Sequence, residues 1–80
     1  MDIFVGNLSR DVTEPELRQQ FLAFGKVTSV RLARDRRSGL SRGFAFVAMR
    51  EQSEGEAAVA GLKGKTLRER TLDVSEARRR

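Results

Sequence analysis

Hydrophobic positions along this chain follow two different periods, and the switches between them mark out its elements. Residues 2–8, DIFVGNL, form a β-branched and aromatic run stopped by a Gly/Asn/Ser cluster, which predicts a short strand. Side chains alternate across a strand, so Ile3 and Val5 share one side and Phe4 takes the other. Thr13-Glu14-Pro15-Glu16 has the spacing of a capping box, with proline in the first turn, where its missing N–H costs nothing. A helix should follow, with Leu17, Phe21 and Phe24 on one face, Arg18 and Gln19 off it, and Gly25 where a left-handed C-terminal residue is wanted. Alternation returns from Val27 to Arg34, with Val30 and Leu32 facing one way and Ser29 and Arg31 the other. The turn-rich, basic stretch from Asp35 to Ser41 leads into a third alternating run, Arg42 to Arg50, so the two runs make a long hairpin. A second capping box, Ser53-Glu54-Gly55-Glu56, predicts another helix, with Gly55, Ala58, Val59 and Leu62 as a small apolar stripe and Gly64 as its end. Leu72 and Val74, set against Thr71, Asp73 and Ser75, predict a last strand, and residues 65–70 a basic connection or small hairpin.

The order strand, helix, strand, strand, helix, strand is the split β-α-β pattern. It predicts an α+β, ferredoxin-like β-α-β-β-α-β sandwich: a four-stranded antiparallel sheet with both helices on one face. A chain of 80 residues buries only about 60% of the surface its unfolded form exposes, so it holds one core. Residues 1–76 are expected to be that domain, and residues 77–80, carrying Arg78-Arg79-Arg80, a basic C-terminal tail.

Which side of the sheet meets the helices decides the function. In the third strand Arg42, Phe44 and Phe46 point one way, and Ala45, Val47 and Met49 the other. The aliphatic set matches the Val30/Leu32 and Leu72/Val74 sets, which sit opposite polar residues in their own strands. Packing the aliphatics inward leaves Phe4, Phe44 and Phe46 on the open face. The reverse packing would expose Ile3, Val5, Val47 and Met49 and turn Arg42 toward the core. An exposed aromatic patch marks a binding surface. Unpaired bases suit it, since a base stacked on an aromatic ring contributes about 1–3 kcal/mol with little dependence on sequence.

Two segments carry a family likeness. Ile3-Phe4-Val5-Gly6-Asn7-Leu8 resembles the six-residue ribonucleoprotein motif of RNA recognition motif domains, and Arg42-Gly43-Phe44-Ala45-Phe46-Val47-Ala48-Met49 resembles their eight-residue motif. The resemblance extends over essentially the whole chain, including Ala58-Val59, Leu62, Gly64 and Arg70-Thr71-Leu72. Met49 stands where the family usually has an aromatic, at a position that points into the core, and Glu69 where a glycine is common. The resemblance implies that Phe4 and Phe46 stack on successive bases, that Phe44 packs against sugars between them, and that Arg42 pairs with a phosphate. Asn7 has two readings, holding the turn after the first strand or hydrogen-bonding a base edge. Arg31 on the open face, with Arg34, Arg36 and Arg37 in the hairpin, would border the bound strand. Ser75 and Arg78 would clasp it where the chain leaves the sheet.

Composition narrows the alternatives. A net charge of +5 suits a polyanionic partner, because Lys and Arg near phosphates release condensed counterions. The chain has no cysteine and no histidine, which removes disulfides, thiolate metal sites and the commonest acid–base group. No cofactor or metal is therefore expected, and the chain is read as a binding module and not an enzyme. No apolar run reaches the roughly 18 residues needed to span a bilayer, and no secretory signal opens the chain, so a cytoplasmic monomer is expected. Gly64-Lys65-Thr66 mimics the end of a phosphate-binding loop, but Val59 stands where that motif needs its first glycine, and a helix precedes it. Glu14, Glu16, Glu54 and Glu56 fall in first helical turns, where they complement the macrodipole. The expected partner is single-stranded RNA, two to four nucleotides at a time and of roughly micromolar affinity. Single-stranded DNA is a close rival, because stacking does not sense the sugar. Two further classes compete: a protein-interaction domain of the same fold, and a small enzyme cleaving acyl phosphates. The sequence has no glycine-rich anion loop with a catalytic arginine for the second.

Overall fold

A computed structural model describes residues 1–77; Arg78, Arg79 and Arg80 lie outside the described residues. The elements run β1 (Asp2–Gly6), α1 (Glu14–Leu22), β2 (Val27–Arg34), β3 (Ser41–Met49), α2 (Gln52–Leu62), β4 (Thr66–Leu67), β5 (Arg70–Thr71) and β6 (Asp73–Ala77). Four strands form one sheet in the order β2-β3-β1-β6, each neighbouring pair antiparallel. Both helices pack on one face, α1 against β2 and α2 against β1, β3 and β6, which is the expected ferredoxin-like α+β fold.

The side facing the helices is the aliphatic one. Ile3, Val5, Ala45, Val47, Met49 and Val74 are buried from the sheet and Leu72 from the residue just before β6, and Leu17, Phe21, Ala58 and Leu62 meet them from the helices. Each large side chain so buried contributes about 1.5–3 kcal/mol relative to exposure, and the aliphatic face carries more of them than the phenylalanine face, whose strands also present Arg31, Arg42 and Ser75. Met49, 1% exposed, fills the place of the family's usual aromatic, as an unbranched thioether can.

Tertiary contacts changed several local expectations. Thr13 does cap α1, its hydroxyl accepting from Glu16 N at 3.4 Å, but the reciprocal half of the box is absent because the Glu16 carboxylate pairs with Arg68. The second capping box does not form. Glu51 is the N-cap of α2 without a side-chain bond, and Ser53 lies inside the first turn. A bond from Gly55 N to Glu51 O and the Gln52–Glu56 side-chain pair set the helix start earlier. Gly55 must also meet Met1, whose Sδ would lie 2.3 Å from any Cβ there. The four glutamates likewise do more than face a helix dipole. Glu14 accepts from Leu32 N on the edge strand β2, and Glu54 accepts from Lys26 N. Gly25 has φ +156, not the left-handed cap value, and its want of a side chain makes room for Glu54. Gly64, at φ +80, does end α2 as expected. Phe24 falls beyond α1 and is half-buried, its ring lying over Gly61 at the margin of the core.

The connection expected over residues 65–70 is a small hairpin over residues 66–71. β4 and β5 pair around Arg68 and Glu69, which both take positive φ, +50 and +68, as a two-residue hairpin turn matched to strand twist requires. Leu72 separates β5 from β6 and donates its N–H to the Lys65 carbonyl.

Candidate nucleic-acid interface

The split topology places β1 and β3 side by side in the middle of the sheet, so the two motif segments become neighbours. Their register pairs Phe4 with Phe46 directly. The three rings form one cluster on the face away from the helices: Phe4 and Phe44 stack at 6.0 Å and 30°, and Phe46 stands edge-on to both, at 5.8 Å from Phe4 and 6.0 Å from Phe44. Phe46 is 41% exposed, whereas Phe4 and Phe44 are half-buried, partly because the rings cover one another. A platform of this kind keeps flat apolar surface in water, which stacking on another π-system relieves.

Backbone irregularities aim these rings. Gly43 has φ +86 and lies where the β2–β3 register slips between Leu32 and Arg34. Its carbonyl accepts from Leu8 N, and its N–H donates to the Ser41 hydroxyl, so the start of β3 is tied to the end of β1.

The predicted basic and polar residues divide into three sets. Arg31 and Ser75 sit beside the platform, since Arg31 pairs in register with Phe46 and Ser75 with Phe4. Arg42 lies over the Phe44 ring, its Cζ 5.9 Å from the centroid, a cation–π contact that holds the guanidinium beside the rings. Arg34, Arg36 and Arg37 belong to the hairpin beyond the platform. Asp35 shapes that hairpin: its carboxylate accepts from Ser38 N at 3.0 Å and Arg37 N at 2.8 Å, and these two bonds, the first above all, hold its pKa below the ordinary Asp value. Arg34 donates to the Gly39 carbonyl, so part of its fork is used within the loop, while Arg36 and Arg37 are exposed at the tip.

Asn7 is engaged at both ends of its amide. Its Nδ2 donates to the Thr71 carbonyl at 2.7 Å and its Oδ1 accepts from Arg70 at 2.7 Å, while the Arg70 Nε also reaches the Asn7 carbonyl. With φ +57 the residue turns the chain out of β1 and clamps it to β5. Arg78 lies outside the described residues.

Two features of the platform had a signal in the sequence that alternation alone does not rank. Gly6 shares Phe4's side of β1, and a Cβ there would lie 2.8 Å from Cε2 of Phe4, so the ring rests over the bare backbone of that residue. Beside Phe46, the small residues Ala48 and Ala77 leave a groove of about 240 Å³ that Asp2, Ser29 and Arg31 also line.

The family model for the RNA recognition motif matches residues 3–73. The chain belongs to the RNA recognition motif family. Among relatives, this RNA recognition motif chain is 46% identical over 78 residues to a chloroplastic 28 kDa ribonucleoprotein of Nicotiana sylvestris, covering 98% of itself and 28% of that protein. It is 44% identical over 80 residues to RbpE of Nostoc sp., provisionally named an RNA-binding protein, covering all of itself and 81% of RbpE. Against the chloroplastic ribonucleoproteins of Nicotiana sylvestris and Spinacia oleracea the chain spans about a third of the relative's length or less. Among solved structures, that of RNA binding protein PG1 matches with a TM-score of 0.96 and 40% identity over 100% of this chain and 96% of that one. The Sxl-lethal protein in complex with RNA matches with a TM-score of 0.93 and 36% identity, over 98% of this chain and 47% of that one.

Proposed function

We propose that this RNA recognition motif binds short single-stranded RNA on the open face of its sheet. The carrying observation is the cluster of Phe4, Phe44 and Phe46 on the two central strands, opposite the helices. In this reading Phe4 and Phe46 stack on successive bases, Phe44 packs against the sugars between them, and Arg42, already poised over Phe44, pairs with a phosphate. Arg31 and Ser75 flank the strand, and Arg34, Arg36 and Arg37 add charge from the hairpin, with Arg78 following from the tail. Asn7 serves by holding the end of β1, since both ends of its amide are used within the protein. Residues 1–76 act as the domain and residues 77–80 as a basic extension. The chain binds as a monomer and carries out no catalysis. A cytoplasmic setting belongs to the same proposal, tested by fractionating the source cells, because the plant relatives are named as chloroplastic.

The RNA-bound state of a structural neighbour and the naming of RbpE support RNA as the ligand. The test is a titration of labelled RNA hexamers with the wild type and with Phe4→Ala combined with Phe46→Ala. The wild type should bind at roughly micromolar strength, and the folded double variant should lose binding, since two stacked bases at about 1–3 kcal/mol each are removed. Unchanged binding by the double variant would rule out the platform. Matched RNA and DNA hexamers decide whether a 2′-hydroxyl is sensed.

A further inference from the structure

From the groove beside Phe46 we infer that the platform selects one base by its edge, and that the base is guanine, read by Asp2 and Arg31. This rests on the platform reading above and adds what that reading lacks, a means of distinguishing bases. The groove holds about 240 Å³ and is lined by Asp2, Ser29, Arg31, Phe46, Ala48 and Ala77. Ala48 pairs in register with Asp2 on one side and Ser29 on the other, while Arg31 pairs with Phe46. The small side chain of Ala48 is thus the floor, the Phe46 ring is the end wall, and β1 and β2 supply the flanks. Those flanks stand two inter-strand spacings apart, about 10 Å, which admits one planar ring system lying on Phe46.

The polar groups on the flanks are of opposite kind. Asp2 offers only acceptors and Arg31 only donors. Guanine alone among the four bases presents two neighbouring donors, N1–H and the N2 amino group, together with two neighbouring acceptors, O6 and N7. The donor pair matches a carboxylate and the acceptor pair matches a guanidinium fork, each as two parallel charge-assisted bonds. Adenine and cytosine give the carboxylate a single amino group, and uracil a single imino proton. Asp2 already holds an interaction within the protein. An ionised carboxylate has about four lone-pair sites and retains capacity for the base.

The experiment measures binding of hexauridine and of hexauridine carrying one central guanosine, adenosine or cytidine. The wild type should bind the guanosine oligomer about tenfold or more tightly than the uridine one. In Asp2→Ala that ratio should fall to near one, and in Asp2→Asn, which keeps one acceptor, it should lie between. Arg31→Gln, on an exposed strand position, should also lower the ratio and serves where Asp2→Ala fails to fold. Equal binding of all four oligomers by the wild type, or a guanosine preference that survives in Asp2→Ala and Arg31→Gln, overturns the inference and leaves the platform standing. A wild type that binds none of them overturns both.

Discussion

Gly6 and Phe4 share one patch of the open sheet face: the Phe4 ring lies where a side chain on Gly6 would project, with Cε2 and Cζ at 2.8 and 2.9 Å from a Cβ built there. Both atoms are the far end of a side chain that can turn away, so a methyl group would displace the ring without breaking the strand. Gly6→Ala should therefore weaken RNA binding several-fold while changing stability by less than about 1 kcal/mol, by analogy with a rotamer shift. Titration of an RNA hexamer and a urea melt of the same sample check both halves. A variant that unfolds, or that binds as tightly as the wild type, would show that the contact does not set the ring's position.

The Asn7 clamp separates hydrogen bonding from backbone strain. Its amide joins β1 to β5 through Thr71 and Arg70, and its φ of +57 is one that Asn tolerates and Ala does not. Asn7→Gly should lose about 1–3 kcal/mol, the worth of the two side-chain hydrogen bonds at about 0.5–1.5 kcal/mol each, and Asn7→Ala about 1–2 kcal/mol more for the left-handed backbone. Urea unfolding of the pair gives the order, and an alanine variant as stable as the glycine variant would contradict the strain.

Glu69 occupies the second position of the β4–β5 turn at φ +68. A two-residue turn with positive φ at both centres prefers glycine there, so Glu69→Gly should stabilise the domain. The gain is about 0.5–1 kcal/mol, after the greater freedom of glycine in the unfolded chain offsets part of the strain relieved. Thermal melting should move upward; a lower midpoint would refute it. Arg68, the other turn residue, should be kept, because its Nε bonds both Glu16 oxygens at 3.0 and 2.8 Å.

Acidification should loosen the basic hairpin through Asp35. The N–H bonds from Ser38 and Arg37 lower its pKa in the folded state. The stabilisation is therefore complete above the ordinary Asp value, about 3.9, and is lost as pH falls through the lower folded value. A carboxyl NMR titration should place the Asp35 midpoint below about 3.9, with faster exchange of the Arg37 and Ser38 amides below it. A midpoint at or above the ordinary value would mean that those bonds do not persist in solution.

Much of this was legible in the chain because it depends on period. Two-residue alternation assigned Ile3, Val5, Ala45, Val47 and Met49 to one side and Phe4, Phe44 and Phe46 to the other, and the structure keeps that division. The start of α2 was not legible. Ser53 has the right residue types around it for a cap, yet Glu51 takes that position because the first turn is set by the Glu51–Gly55 bond and by the fit of Gly55 against Met1. Nor did helix-dipole reasoning foresee where Glu14, Glu16 and Glu54 bond, since their partners Leu32, Arg68 and Lys26 are distant in sequence.

By itself the sequence determined the number and order of the six principal elements, the side of each strand that is apolar, and the residues available for stacking, all of which follow from local geometry. Only the tertiary structure decided that Phe4 lies opposite Phe46, that Gly6 leaves room for the Phe4 ring, and that Asp2 and Arg31 line one groove floored by Ala48 from different strands. Those relationships depend on strand register and on the slip near Gly43, which non-local hydrogen bonds and packing choose together.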